Sequence, residues 1–229
     1  MKKAKHSKRF NEAAKLIDKQ KTYSTEEGVE LIKKTANTKF DSSVEIHFRL
    51  GINTKKSDQS VRGNVILPHG TGKTKKVAVV TSPDKQKDAK AAGADIVGGD
   101  EMIEEIKKTS KTDFDILLAT ADMMKKLAPV AKILGTRGLM PSPKNDTVVT
   151  NIAKAIEEIK KGKTSFKNDD TGNVHDIVGK VSFDSKKLVE NIKFFIESVE
   201  KTKPAGVKGT YIKNIALSSA MGPSVKISK

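Results

Sequence analysis

The spacing of apolar residues changes three times along this chain. Phe10, Ala13, Ala14 and Ile17 recur at helical spacing and predict a helix over residues 8–20. Ser24 and Glu27 have the spacing of a capping box, and Val29, Ile32 and Ala36 follow at the helical period, so a second helix starts at Ser24. The period then drops to two. Val44, Ile46, Phe48, Leu50 and Ile52 alternate with Glu45, His47, Arg49 and Gly51, which predicts a strand with one apolar and one polar face. Such alternation suits an antiparallel sheet open to water on one side. Val61 to Leu67 reads as a neighbouring strand.

From residue 70 the pattern is different. Val77–Val80 is a short continuous apolar run, followed by a helix over 84–92, a strand at Asp95–Val97 and a helix over 100–109. Asp115–Ala119 comes next, then helices over 122–134 and 147–160. Short buried strands alternating with helices mean βαβ units and a parallel sheet with right-handed crossovers. After Lys160-Lys161-Gly162-Lys163 the antiparallel pattern returns, with strands at 163–167, 174–183 and 210–219. A helix between them carries Leu188, Ile192, Ile196 and Val199 on its buried stripe.

Ends that share one pattern around a middle with another predict an interrupted domain. The expected class is α/β. An α+β domain with a mostly antiparallel sheet forms from residues 1–67 and 160–229, and an α/β domain with a parallel sheet is inserted at 68–159. The junctions are Pro68-His69-Gly70-Thr71-Gly72 and the Lys160–Lys163 stretch, where two crossings side by side would make a hinge. Three consecutive segments of one continuous fold are the alternative.

Charge sharpens this division. Of the net +16, residues 1–67 and 160–229 carry +7 each and residues 68–159 only +2. A surplus split this way points to a polyanion held by the two ends. Only Arg9, Arg49, Arg62 and Arg137 among the 44 basic residues are arginine, so phosphates rather than base edges are the expected targets. The chain has no cysteine, which excludes disulfides and thiol catalysis, and its four histidines are too scattered to suggest a metal pair. No cofactor is expected. The basic start, Met1–Arg9, lacks the apolar run of a signal peptide, and no stretch is long enough to span a membrane, so a cytoplasmic protein is the simplest reading.

No catalytic set emerges. Gly72-Lys73-Thr74 resembles the end of a phosphate-binding loop, but Leu67 stands where that pattern needs glycine, and a strand rather than a helix follows. Asp169-Asp170 reads as a turn ending at Gly172, and His175-Asp176 lacks a nucleophile. Gly135–Lys144 is a loop, with Gly135 as a left-handed helix cap and Arg137 and Lys144 as possible phosphate donors. The polar strand face is more informative: Glu45, His47 and Arg49 project together, and Lys39-Phe40 places a cation and a ring just before them. Near the end, Ser218–Gly222 offers small residues that admit a ligand backbone, and Met221-Gly222-Pro223 breaks the strand.

Several short segments, in order, carry a family resemblance. They are Lys39-Phe40-Asp41 with Val44–His47, Ser57-Asp58-Gln59 with Val61-Arg62-Gly63, and Leu67–Lys73. They continue with Gly135–Lys144, Gly172–His175, Lys203-Pro204 and Ser219–Val225. Across essentially its whole length the chain resembles the L-one family of large-subunit ribosomal proteins, in its bacterial form. The resemblance implies a first domain joining both chain ends and a Rossmann-like inserted domain. It implies binding to the mobile stalk of the large-subunit rRNA, help in releasing deacylated tRNA from the exit site, and repression of the protein's own operon mRNA through a stalk-like element. It further implies a ribosome-associated, non-enzymatic protein that is a monomer when free. Carried over residue by residue, the RNA-binding positions are Lys39, Phe40, Glu45, Lys167, Gly172, His175, Ser219, Met221, Gly222 and Pro223; the strand face adds His47 and Arg49. Ala220 stands where many relatives have threonine. The alternatives are a nucleotide-dependent enzyme on the insert and a non-specific polyanion binder.

Overall fold

The computed structural model describes residues 7–228; Met1–His6 of the basic start lie outside them. In chain order the elements are α1 (Lys8–Lys15), α2 (Thr25–Thr35), β1 (Ser43–Leu50), β2 (Arg62–Ile66), β3 (Val77–Val80), α3 (Pro83–Ala91), β4 (Ile96–Gly98) and α4 (Asp100–Thr109). They continue with β5 (Ile116–Ala119), α5 (Ala131–Thr136), α6 (Ile152–Lys160), β6 (Lys163–Lys167), β7 (Asn173–Lys180), α7 (Ser185–Lys201), β8 (Ile212–Ser219) and β9 (Ser224–Ile227). The chain separates into two compact units. One holds the segments up to Gly72 and from Thr164 onward, and the other is Lys73–Lys163.

The first unit is built on an antiparallel sheet of order β7-β1-β8-β9. The alternation of β1 decides its two sides. Val44, Ile46, Phe48 and Leu50 enter a core with Val29 and Ile32 of α2 and Leu188, Ile192, Phe195, Ile196 and Val199 of α7. Phe48 stacks on Phe195 with ring centroids 5.8 Å apart, and Phe195 meets Phe166 of β6 at 5.4 Å. Fully burying each such aliphatic or aromatic side chain contributes about 1.5–3 kcal/mol, which fixes the register of β1. Both helices therefore cover one face of the sheet. Helix α2 begins with the expected capping box: the Ser24 hydroxyl accepts from Glu27 N–H, and the Glu27 carboxylate accepts from Ser24 N–H.

The second unit carries a parallel sheet of order β4-β3-β5. Val77 and Val79 pack with Leu118 and Ile156 on one side, while Ala78 and Val80 pack with Leu117, Leu127 and Leu134 on the other. A strand buried on both faces needs an unbroken apolar run, which is why β3 reads VAVV.

Five local expectations are corrected. Helix α1 stops at Lys15 instead of residue 20, and the backbone N–H of Asp18 then donates to the Tyr23 hydroxyl. β2 pairs with β6 in a separate two-stranded sheet and not with β1. Residues 122–134 are not one helix. Single turns at Ala121–Met123 and Ala128–Val130 precede α5, because Pro129 has no N–H to continue an α-helix. Thr147–Thr150 is extended, as four β-branched residues favour, with Val148 bridging to Ala119; α6 starts only after its Asn151 cap. Gly135 lies inside α5, and Gly138 takes the left-handed conformation, at φ 69°.

The charge partition also changes. Lys160, Lys161 and Lys163 belong to the second unit, which raises its net charge to +5 and leaves the first at +11. The first unit remains the more basic, with a smaller margin than the sequence suggested.

Candidate nucleic-acid interface

Among the described residues no helix covers the face of the four-stranded sheet opposite α2 and α7. Cross-strand pairing lays its side chains out in rows. Ile177, Glu45, Ser218 and Ser224 form one row, and His175, His47, Ala216 and Lys226 the next. Asn173, Arg49 and Asn214 form the third. Arg49, His175 and Lys226 are exposed, and Ile177 is an exposed apolar residue in their midst.

A polar chain crosses the middle of this face. His47 and His175 approach through their Nδ1 atoms at 2.8 Å, and His47 Nε2 lies 2.8 Å from the Ser218 hydroxyl. Glu45 Oε2 lies 3.8 Å from His47 Nε2, and Asp169 Oδ2 lies 3.8 Å from His175 Nε2. Partial burial lowers the pKa of His47, the neighbouring His175 lowers it further, and Glu45 opposes both. The neutral imidazole is therefore favoured at position 47.

Asp169 organises the turn between β6 and β7. Burial raises its pKa, but hydrogen bonds from Asn173 N–H, the Thr171 hydroxyl, the Asn173 amide and Thr171 N–H outweigh that and bring it to about 2. A permanent carboxylate thus holds the Asp169–Gly172 turn, in which Gly172 has φ 83° and its carbonyl accepts from Leu50 N–H at 2.9 Å. Gly172 and the exposed Lys167 accordingly lie toward the Leu50 end of β1, with His175 level with His47 in mid-strand.

The opposite end of β1 gathers two loops. Lys39 and Phe40 sit in the connection from α2 to β1, and Phe40 is 53% exposed rather than part of the core. The loop is pinned by Asp41, whose carboxylate accepts from Ser182 N–H at 3.1 Å and from the Ser182 hydroxyl at 2.8 Å. The turn after β8 holds Met221 at φ 62° with its side chain 72% exposed. Ala220 N–H donates to Ser43 O at 2.9 Å, fixing this turn against the start of β1. Arg9 links the loops, donating to Asn37 O at 3.0 Å and to Met221 O at 3.5 Å. The candidates from Lys39 to Gly172 are therefore spread along β1, whose eight residues span about 23 Å.

Three expected residues stand differently, Gly172 being buried within its turn. Ser219 pairs with Val44 and faces the helix-covered side, and the whole residue is buried. Pro223 is also buried and shapes the turn. The Ser219 hydroxyl and Asn214 Oδ1 are both buried without a hydrogen-bond partner. Sequence reasoning missed Asn214, Lys226 and Arg9, and took Ser218 only as one of the small residues that admit a ligand backbone. The alternation of Ile215 and Leu217 would have placed Ser219 inward and Ser218 outward; nothing in the sequence signals that Arg9 reaches residues 28 and 212 positions away.

The chemistry of a nucleotide enzyme finds no support in the second unit. Gly72 has φ 72° and packs where a Cβ would press on Phe183, Lys73 pairs with Asp115 at 3.4 Å, and the segment enters β3 without opening a helix. No helix among the described residues is long and apolar enough to cross a membrane.

Known proteins match the chain over most of its length. The profile described as the ribosomal protein L1p/L10e family matches residues 32–223. The chain is 52% identical over 224 residues to the large ribosomal subunit protein uL1 of Mycoplasma capricolum subsp. capricolum, covering 98% of this chain and 99% of that one. It is 50% identical over 223 residues to the protein of the same name from Thermosipho africanus (97% and 96%), and 51% identical over 227 residues to that from Persephonella marina (98% and 94%).

Proposed function

The chain belongs to the ribosomal protein L1p/L10e family and is a structural constituent of the large ribosomal subunit, not an enzyme; from that premise we propose that its first unit grips the mobile stalk of the large-subunit rRNA. The same surface then holds a stalk-like element in the protein's own operon mRNA and represses its translation. On the ribosome the protein assists release of deacylated tRNA from the exit site, and when free it is a monomer. The two compact units act as separate domains in this reading, the first binding RNA and the second inserted into it.

One observation carries the proposal. Glu45, His47, Arg49 and His175 share a helix-free sheet face, bounded by the Lys39-Phe40 loop and the Met221 turn, in the more basic unit. Sheet faces of this kind meet ribose hydroxyls and phosphates of folded RNA, and an exposed ring offers a stacking platform. Arg49 and Lys226 would contact phosphates, Glu45 would accept from a 2′-hydroxyl, and Phe40 would stack on a base.

The test is binding of the full chain to a stalk fragment of the large-subunit rRNA. Arg49→Glu with Lys226→Glu should weaken binding at least about tenfold and flatten the salt dependence by roughly one counterion per lost contact. Lys87→Glu with Lys107→Glu, in the second unit, should change it little. The reverse ranking rejects the proposal.

A further inference from the structure

We propose that His47 and His175 form a two-histidine site for a divalent transition-metal ion such as Zn²⁺. The pair is directly cross-strand in register, and the two Nδ1 atoms converge at 2.8 Å. The outward nitrogens are provided for as well. His47 Nε2 meets the Ser218 hydroxyl at 2.8 Å and Glu45 Oε2 at 3.8 Å, and His175 Nε2 meets Asp169 Oδ2 at 3.8 Å.

This arrangement is what metal-ligating histidines require. A ring that coordinates through one nitrogen donates the other N–H to a carboxylate or hydroxyl, which fixes its tautomer and raises its basicity. Here two rings point one nitrogen at each other; the second nitrogen of His47 meets the Ser218 hydroxyl at 2.8 Å, and that of His175 has the Asp169 carboxylate 3.8 Å away, within reach after a small turn of the ring. The Asp169 carboxylate is held in place by hydrogen bonds from the Thr171 hydroxyl and Asn173 N–H.

Without a metal the short Nδ1–Nδ1 approach holds one proton, shared as N–H···N. On metal binding that proton leaves the shared position and is taken up by Nε2 of the same ring, facing its acceptor. Both Nδ1 lone pairs then face the ion. With Zn–N bonds of about 2.0–2.1 Å in tetrahedral geometry, the nitrogens sit about 3.3 Å apart. The rings must therefore separate by about half an ångström. His175 lies on the outer strand and is 53% exposed at its side chain, so it has room to turn. No group of three or more His, Asp or Glu among the described residues is set to hold a metal, so water completes the coordination. Such a site favours imidazole-loving ions over Mg²⁺.

The experiment is calorimetric titration of the full chain with Zn²⁺, beside imidazole NMR of the same samples. To isolate the pair, His6→Ala and His69→Gln are introduced together. That protein should still bind one equivalent of Zn²⁺, with both imidazoles of the pair shifting in slow or intermediate exchange. Adding His175→Gln should weaken binding at least about tenfold. Affinity should fall between pH 7.5 and 5.5 as protons compete for the ligands, and Mg²⁺ should not compete. Zn²⁺ affinity that survives removal of both histidines overturns the proposal. So does a wild-type chain that takes up no Zn²⁺, or one in which the His47 and His175 resonances stay unmoved; these last two readings do not depend on any variant folding.

Discussion

Gly222 lies so close over Ser219 that a Cβ at position 222 would overlap the Ser219 hydroxyl oxygen and come within 3.3 Å of its carbonyl oxygen. Gly222 N–H also donates to that carbonyl at 2.8 Å, closing the turn that presents Met221. The glycine is needed here for close approach. Gly222→Ala should destabilise the fold by about 1–3 kcal/mol, the range for overpacking. Adding Ser219→Ala should recover part of that loss, because the two positions share one space. Denaturant unfolding of the two single variants and the double variant checks it; strict additivity would show that the overlap is relieved elsewhere.

Met221 holds a left-handed backbone with its side chain in solvent, an arrangement that brings the fold no packing. Met221→Asp should therefore leave the melting temperature within a few degrees while reducing affinity for stalk RNA. Loss of the cooperative unfolding transition would instead make position 221 part of the core.

Asn191 anchors the Pro68–Gly70 junction. Its buried side chain accepts from His69 N–H at 3.1 Å and donates to Gly70 O at 3.0 Å and Val178 O at 2.8 Å. Asn191→Leu removes all three bonds and strands their partners, each at about 1–3 kcal/mol. We expect a loss above about 3 kcal/mol in chemical denaturation, far more than for the exposed Lys187→Ala.

The pH dependence of stability has a definite sign at His47. Its folded pKa is lowered below the ordinary 6.5, mainly by burial, so the unfolded chain takes up its proton first as pH falls. The stability held by neutral His47 is complete above pH 6.5 and declines as pH drops through that value toward the folded pKa. His47→Gln should flatten this decline. Thermal melts between pH 7.5 and 5 read it directly, and an unchanged slope in the variant would remove His47 as the cause.

The fold was legible where one rhythm ran unbroken. The alternation from Val44 to Leu50 gave β1 and its two faces, and the unbroken run Val77–Val80 gave a strand buried on both sides. Legibility failed where a local feature outweighed periodicity: Pro129 divided a helical stretch, and Thr147–Thr150 stayed extended despite helical apolar spacing beyond it. The partner of β2 could not be read because pairing is a long-range choice. The same holds at the candidate interface. Glu45, His47 and Arg49 were visible as one strand's polar face, whereas the approach of His175 to His47 across 128 residues depends on the register of β7. Ser219 entered by resemblance, and parity from Leu217 would have turned it to the covered side, where the structure has it.

The central claim is that RNA is held by the open sheet face and its two bordering loops. Ultraviolet crosslinking of the full chain to stalk rRNA, followed by peptide mapping, tests it most directly. The account predicts crosslinks at Phe40 and Met221 and on peptides spanning Glu45–Arg49 and Lys167–His175. Crosslinks concentrated within Lys73–Lys163, with those peptides spared, would contradict it.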